Sequence, residues 1–229
     1  MIRRDFFKYS FISAATLTTL NANTEHKNNT TRFSEILILG GGFAGLSCAK
    51  ELKRLNPNLD VTIVEEREHF SSCPFSNLYL GEVKNIKFEN LNFSYNNAIN
   101  SYKYNFLRET ILNIDIKNNL LSTNKNIIKY KYLVIALGID YDYSYIFKDE
   151  EKIKKAKLLA PAGLKPSSEH LQLKSFIKNF KGGNFVITVP PYSYKCPPAP
   201  YERACLIANY FKKNNIDGKV IVLDPRENP

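Results

Sequence analysis

The sequence predicts an α/β chain that contains two successive βαβ units, and three stretches carry this prediction. Residues 34–68 have the pattern of a strand, a glycine-rich turn, a helix and a second strand. Residues 130–142 contain a further apolar strand, and residues 182–224 repeat the order strand, helix, strand. Strands that alternate with helical segments are typical of a parallel sheet covered by helices.

Composition and charge narrow the class of protein. The 229 residues are 44% hydrophobic and 13% aromatic, which suffices for one sizeable core or two smaller ones. The formal charge of +10 comes mainly from lysines scattered among asparagines, without a nucleic-acid motif, so we expect a solvated basic surface and no nucleic-acid partner. The four cysteines form no C-x-x-C pair, so we do not expect a zinc site.

Residues 1–30 are interpreted as an export signal and linker. "RRDFFK" places Arg3 and Arg4 before two phenylalanines, which looks like a bacterial twin-arginine signal, although a basic start can also arise by chance. Cleavage near Ala22 would reduce the net charge from +10 to +8. No apolar run reaches the roughly 18 residues that a membrane span needs. We therefore expect a periplasmic protein with no transmembrane segment.

The turn after the first strand has the pattern G-x-G-x-x-G, filled by Gly40, Gly42 and Gly45. The first glycine allows the tight turn, the second lets a pyrophosphate approach the backbone, and the third lets helix and strand pack closely. Glu65 ends the second strand 20 residues after Gly45, where an acid would take ribose hydroxyls, and Glu66 is the alternative acid. This unit is predicted to bind a dinucleotide, either NAD or FAD.

The strand in residues 130–142 ends in Ala-x-Gly, formed by Ala136 and Gly138, and follows a candidate hairpin at residues 113–126. This segment resembles the one that closes the first FAD-binding section of two-dinucleotide-domain flavoproteins of the disulfide-reductase type. A buried strand of another α/β fold has the same pattern. We expect Ala136 and Gly138 to contribute to the cofactor site.

The second βαβ unit has prolines where the first has glycines. Its loop, "PPYSYKCPPAPYE", lacks the amide N–H groups that a pyrophosphate needs, so NAD is not expected to bind there. Pro200 suits the first helical position, which places Cys196 just outside the helix beside Lys195, and both features favour a thiolate that can attack polysulfur chains or form a disulfide. Glu202, in the first turn, is either a proton acceptor or a charge that complements the helix dipole.

The strings "VPPYSYKCPPAPYERA" and "SSCPFSNLYLGEV" are similar to the flavin subunit of flavocytochrome c sulfide dehydrogenase, from the glycine loop to Asp224. The resemblance implies a Rossmann-like FAD-binding domain at residues 31–150 and an incomplete second Rossmann-like domain at residues 151–229. It also implies a periplasmic enzyme that oxidises sulfide or polysulfide and passes electrons through FAD to a c-type cytochrome subunit.

By the family pattern, Cys73 would attach FAD through a thioether, and Cys196 would be one half of a redox-active disulfide above the flavin. Sulfide would attack that disulfide to form a persulfide, and the thiolate would reduce the flavin while Glu202 accepts a proton. Cys48 and Cys205 are interpreted as small core residues.

The second disulfide cysteine of the family lies beyond Asp224, so this chain alone is expected to be incomplete. Two alternatives therefore stay open. One is an enzyme of the sulfide:quinone oxidoreductase type, and the other is a truncated, non-catalytic remnant that only binds flavin.

Overall fold

The computed structural model describes residues 30–165, 167–191 and 194–226, so the predicted export signal lies outside the described residues. The strands are β1 (Thr30–Leu39), β2 (Val61–Glu65), β3 (His69–Ser71), β4 (Asn92–Ser94), β5 (Asn105–Arg108), β6 (Ile111–Asp115), β7 (Leu120–Thr123), β8 (Asn126–Ile135), β9 (Gly183–Thr188) and β10 (Gly218–Leu223). The helices are α1 (Phe43–Leu55), α2 (Ser76–Leu80), α3 (Asn96–Tyr102), α4 (Glu150–Leu159), α5 (Ser168–Asn179) and α6 (Ala199–Lys213), with a 3₁₀ turn at Phe88–Leu91.

The main sheet has the strand order β5-β2-β1-β8-β7-β6. Its first four strands are parallel, and every residue of β2 is buried, as expected where a parallel strand is covered on both faces. The predicted hairpin is present as β6 and β7, and β8 continues it as an antiparallel neighbour of β7. Side chains of these strands share one core with β1 and β2: Leu37, Leu39, Val64, Leu121, Ile128 and Tyr130.

Helix α1 packs on the sheet through the face that the apolar spacing predicts. Ala49 is fully buried in a core with Ile38 and Ile63, and Leu46 and Leu52 pack against that core. Cys48 is partly buried against the same core, which agrees with its interpretation as a small packing residue. Burial raises the pKa of the Cys48 thiol.

The second unit pairs β9 with β10 in parallel, with α6 as the connection between them. Helix α6 begins at Ala199. Pro200 is therefore its second residue, whereas the sequence analysis predicted that it would be the first. The interpretation of Cys205 as a core residue is wrong, because its side chain is exposed. The buried side of α6 is defined instead by Arg203, Ile207, Tyr210 and Phe211.

The short helix α2 joins the two units. Leu80 at its end is fully buried in the same core as Ile177 and Ile207, which belong to α5 and α6. A side chain at Gly81 would clash with Leu206, since its Cβ would lie 2.8 Å from the Leu206 Cβ. A segment of the first predicted domain therefore completes the core of the second. No helix among the described residues combines the length and the apolar character required to cross a bilayer.

Replacing Gly45 by alanine tests the close approach of α1 to β1. The added Cβ would overlap the Gly40 carbonyl oxygen, whereas a Cβ at Gly42 meets nothing within 4 Å. We expect Gly45→Ala to lower the free energy of unfolding by about 2 kcal/mol, because backbone atoms must shift, and Gly42→Ala to lower it by less than about 1 kcal/mol. Urea unfolding measures both, and equal losses would contradict this account of the turn.

Candidate functional site

The glycine loop is closed toward the sheet and open on its outer side. Gly40 has φ +100° and donates its N–H to the Val64 carbonyl at 2.8 Å, and a side chain there would overlap the Ala136 carbonyl oxygen. At Gly42 the position of a Cβ faces open space. A ligand can therefore approach the backbone closely at Gly42, as a pyrophosphate requires.

The N-terminus of α1 fits an anionic ligand. Its N-cap is Gly42, which has no side chain that could cap the helix, and the first turn contains no acidic residue. The first N–H groups of a helix have no partner within the helix and carry the positive end of its dipole. These observations make the loop and the start of α1 suitable for the diphosphate of a dinucleotide.

Glu65 lies against this loop at the end of β2, with only 6% of its surface exposed. Its carboxylate accepts the Gly41 N–H at 2.7 Å and two N–H groups of the Arg67 side chain, each at 2.9 Å. Burial alone would raise the pKa of Glu65, but the hydrogen bonds from Arg67 and Gly41 outweigh it and lower that pKa. Glu66, the alternative acid, is exposed.

The structure brings Ala136 and Gly138 to the same loop. The Ala136 N–H donates to the Leu39 carbonyl at 2.8 Å, so the residues after β8 lie beside the residues after β1. Gly138 is exposed, has φ +82°, and leaves open space where a Cβ would be. The two predicted loop segments thus lie side by side at the carboxyl ends of the parallel strands β1 and β8.

The segment that carries Cys73 is anchored near the start of α1. The ring of Phe70 in β3 packs edge-on against Phe43, the first residue of α1, with the centroids 4.8 Å apart. The Ser72 N–H donates to the Leu91 carbonyl at 2.7 Å, and the Cys73 carbonyl accepts the Ser76 N–H at 3.0 Å. These contacts hold Cys73, which is partly buried, between the glycine loop and α2.

Cys196 lies three residues before α6 and is exposed. Its φ is +59°, a left-handed backbone conformation that is uncommon for residues other than glycine. The Cys196 carbonyl accepts the Ala199 N–H at 3.0 Å, which closes the turn into the helix.

Helices α2 and α6 run side by side in the same direction, so the two cysteine segments lie at one end of the pair. Near their starts, Asn77 donates its amide N–H to the Glu202 carboxylate at 2.6 Å. Near the end of α2, Gly81 lies against Leu206. The pairing brings Glu202 to the end of the helix pair where Cys73 and Cys196 lie.

The buried guanidinium of Arg203 fixes this arrangement. It donates to Asn77 Oδ1 at 3.0 Å and to the carbonyl oxygens of Ala162 and Gly163 at 2.6 and 3.0 Å. Burial lowers the pKa of Arg203. Nearby groups, which include Cys73 and Cys196, act in the opposite direction and partly offset this lowering. The sequence analysis missed both Asn77 and Arg203, although each is a polar residue inside a string quoted there, "CPFSN" and "PYER".

His170 completes the buried polar cluster around Gly163. Its Nε2 lies 3.3 Å from the Gly163 carbonyl oxygen, and only 1% of the residue is exposed. Burial lowers the pKa of His170, so the imidazole is neutral at pH 7.

Comparison with known proteins defines the class first. Residues 34–155, more than half of the chain, match the family model of the pyridine nucleotide-disulphide oxidoreductases, and the chain belongs to that family. A later segment, residues 171–229, matches the model of the central region of the sulfide dehydrogenase (flavocytochrome c) flavoprotein chain. The resemblance seen in the sequence is thereby confirmed.

Several of the relatives are named as oxidoreductases or dehydrogenases of sulfide. The chain is 50% identical over 42 residues to the sulfide dehydrogenase (flavocytochrome c) flavoprotein chain of Chlorobaculum thiosulfatiphilum, which covers 18% of this chain and 88% of that sequence. It is 28% identical over 180 residues to the mitochondrial sulfide:quinone oxidoreductase of Mus musculus, covering 78% of this chain but 39% of that protein. The chain thus spans less than half of this longer relative.

Solved structures support the fold. The sulfide:quinone oxidoreductase of Aquifex aeolicus superposes with a TM-score of 0.63 at 22% identity, covering 83% of this chain and 43% of that one. The NADH:rubredoxin oxidoreductase of Clostridium acetobutylicum superposes with a TM-score of 0.54 at 19% identity, covering 83% and 45%. The predicted fold class, a Rossmann-like FAD-binding domain followed by an incomplete second Rossmann-like domain, is confirmed.

Replacing Arg203 by methionine tests its role in joining the segments. The variant keeps the apolar stem but leaves the carbonyls of Ala162 and Gly163 and the Asn77 amide without their donor. We expect the free energy of unfolding to fall by about 3 kcal/mol, since unpaired buried acceptors are costly. Arg54→Met is the control, because Arg54 is 61% exposed, and it should change the value by less than about 0.5 kcal/mol. Similar urea midpoints for both variants would refute the role of Arg203.

Proposed function

We propose that the chain is the FAD-binding part of an enzyme that oxidises sulfide or polysulfide and passes the electrons to a c-type cytochrome subunit. The observation that carries this proposal is the family match at residues 171–229, which includes Cys196 and the whole of α6. The similarity to named flavoproteins supports FAD as the cofactor. The order of the two units and the open glycine loop are consistent with it.

The residues that would hold FAD come from one edge of the sheet. Gly40, Gly42 and Gly45 would leave room for the diphosphate. Glu65 would accept ribose hydroxyls in place of some of its four present donors, which are the Gly41 N–H and three N–H groups of Arg67. Ala136 and Gly138 would border the cofactor, and Cys73 would attach it through a thioether. A bound flavin supplies an acceptor of two electrons.

Cys196 would form the bond to the substrate sulfur. A hydrosulfide ion that attacks a disulfide at Cys196 forms a new S–S bond and releases the partner cysteine as a thiolate. Glu202 would accept the proton of the substrate, with its carboxylate held by the Asn77 amide at 2.6 Å. Its position in the first turn of α6 equally supports the other role, in which it complements the helix dipole.

The second unit is proposed to work without a nicotinamide cofactor. Pro197, Pro198 and Pro200 occupy the loop and the start of α6, where a pyrophosphate would need amide N–H groups and close backbone approach. Electrons would therefore enter the protein from sulfur.

The first residues of the chain support a proposal about its compartment. The paired Arg3 and Arg4 support export through the twin-arginine pathway and a periplasmic location, where a c-type cytochrome would accept the electrons.

A second candidate function is sulfide oxidation with a quinone as the electron acceptor. The similarity to mitochondrial sulfide:quinone oxidoreductase extends over 78% of this chain, which favours it. The two candidates share the flavin and the cysteine chemistry and differ in the acceptor.

Acid precipitation of the purified protein tests attachment of the flavin. We expect the yellow colour to remain with the pellet of the wild type and to move to the supernatant in Cys73→Ser, because serine cannot form the thioether. Cys205→Ser is the control and should keep its colour in the pellet, since Cys205 is an exposed residue of α6. A wild-type pellet without colour would contradict attachment of the flavin through Cys73.

Reduction of the bound flavin by sulfide tests the role of Cys196. In the enzyme that also contains the second disulfide cysteine, we expect Cys196→Ser to slow this reduction by at least about 100-fold, because no S–S bond can form at that position. Absorbance of the flavin reports the rate, and Cys205→Ser again serves as the control. Full-rate reduction in Cys196→Ser would rule out the mechanism. Reoxidation by cytochrome c, and not by a soluble quinone, is expected to identify the acceptor.

A further inference from the structure

The two βαβ units end in the same kind of ion pair, an acid followed two residues later by an arginine. In the first unit, Arg67 donates its backbone N–H and Nε to Glu65 Oε1 at 2.9 Å each, and Nη2 to Oε2 at 2.9 Å. In the second, Arg226 donates its backbone N–H and Nε to Asp224 Oδ1 at 3.0 Å each, and Nη2 to Oδ2 at 2.8 Å. The chain thus repeats one structural unit with a different loop above it.

The acids act on their loops in different ways. Glu65 accepts the Gly41 N–H directly, so in the first unit the acid itself holds the loop. Asp224 accepts instead the hydroxyl of Tyr201 on α6, and Arg226 Nη2 donates to the same phenolic oxygen at 2.7 Å. The hydrogen bonds from Arg226 hold the pKa of Asp224 well below its usual range, so the pair is fully ionised at pH 7.

The guanidinium of Arg226 also contacts the loop that carries Cys196. It lies over the ring of Tyr194, 5.5 Å from the centroid, within the range of a cation–π interaction. The Tyr194 hydroxyl donates to the Pro197 carbonyl at 2.9 Å, which closes a ring of four residues around Cys196. A cysteine at φ +59° needs such support, because that conformation is unfavourable by itself.

We propose that Tyr194, Tyr201, Asp224 and Arg226 form a brace that fixes the Cys196 loop, with Arg226 as its central positioning residue. The brace replaces the direct hydrogen bond between acid and loop in the first unit. Its significance for sulfur chemistry rests on the proposed function, because a fixed loop presents the Cys196 thiol in one orientation to the reacting sulfur.

Amide nitrogen relaxation measures this positioning directly and without sulfide or flavin chemistry. We expect the order parameter of the Cys196 amide to be about 0.85 in the wild type and to fall below about 0.6 in Arg226→Gln. The amide of Cys205, inside α6, should keep its wild-type value in the variant. Equal loss at both positions, or no loss at Cys196, would refute the brace.

Two further variants sharpen the test. Tyr194→Phe keeps the ring under Arg226 but removes the hydroxyl that binds Pro197, so it should also lower the Cys196 order parameter. Arg67→Gln removes the equivalent arginine of the first unit and should leave Cys196 unchanged. An effect of Arg67→Gln as large as that of Arg226→Gln would refute the proposal. Because no readout depends on sulfide, loss of the brace and loss of sulfide oxidation can be told apart.

Discussion

The arrangement of both cysteine segments depends on one buried guanidinium. Arg203 on α6 binds Asn77 on α2 and two carbonyl oxygens of the segment that connects the units, at Ala162 and Gly163. Three distant parts of the chain thus share one donor. Since Cys73 precedes α2 and Cys196 precedes α6, the same contact determines that the two thiols lie at one end of the helix pair. A shorter or uncharged side chain cannot satisfy all three acceptors at once.

The two units show how one architecture accommodates different chemistry. In the first unit, glycines leave the loop without side chains, and a buried acid fixes the loop by accepting the Gly41 N–H. In the second, prolines and a cysteine fill the loop, and aromatic side chains take over its support. The backbone order of strand, helix and strand is unchanged. The difference lies in the residues that follow the first strand and in the contacts that the acid at the end of the second strand makes. The two units therefore share a fold and differ in the groups that their loops present.

Local patterns predicted most of the fold and the first half of the candidate site. The glycine spacing and the apolar periodicity place β1, α1, β2 and Glu65 because those signals depend on neighbours in sequence. They could not predict the contact between Asn77 and Arg203, which joins residues 126 positions apart. The exposure of Cys205 was missed for a related reason, since the side of α6 that is buried depends on α2 and α5, whose positions no local pattern specifies.

The contact between α2 and α6 also has a consequence for the order in which the protein forms. Residue 80, at the end of α2, leaves the ribosome more than one hundred residues before residue 207, its partner in the shared core. Until then Leu80 has no native core to enter, and the Cys73 segment remains without its neighbours. Contacts of such sequence separation form late and slowly, because a long loop must close first. Assembly of the cysteine end therefore waits for synthesis of nearly the whole described chain.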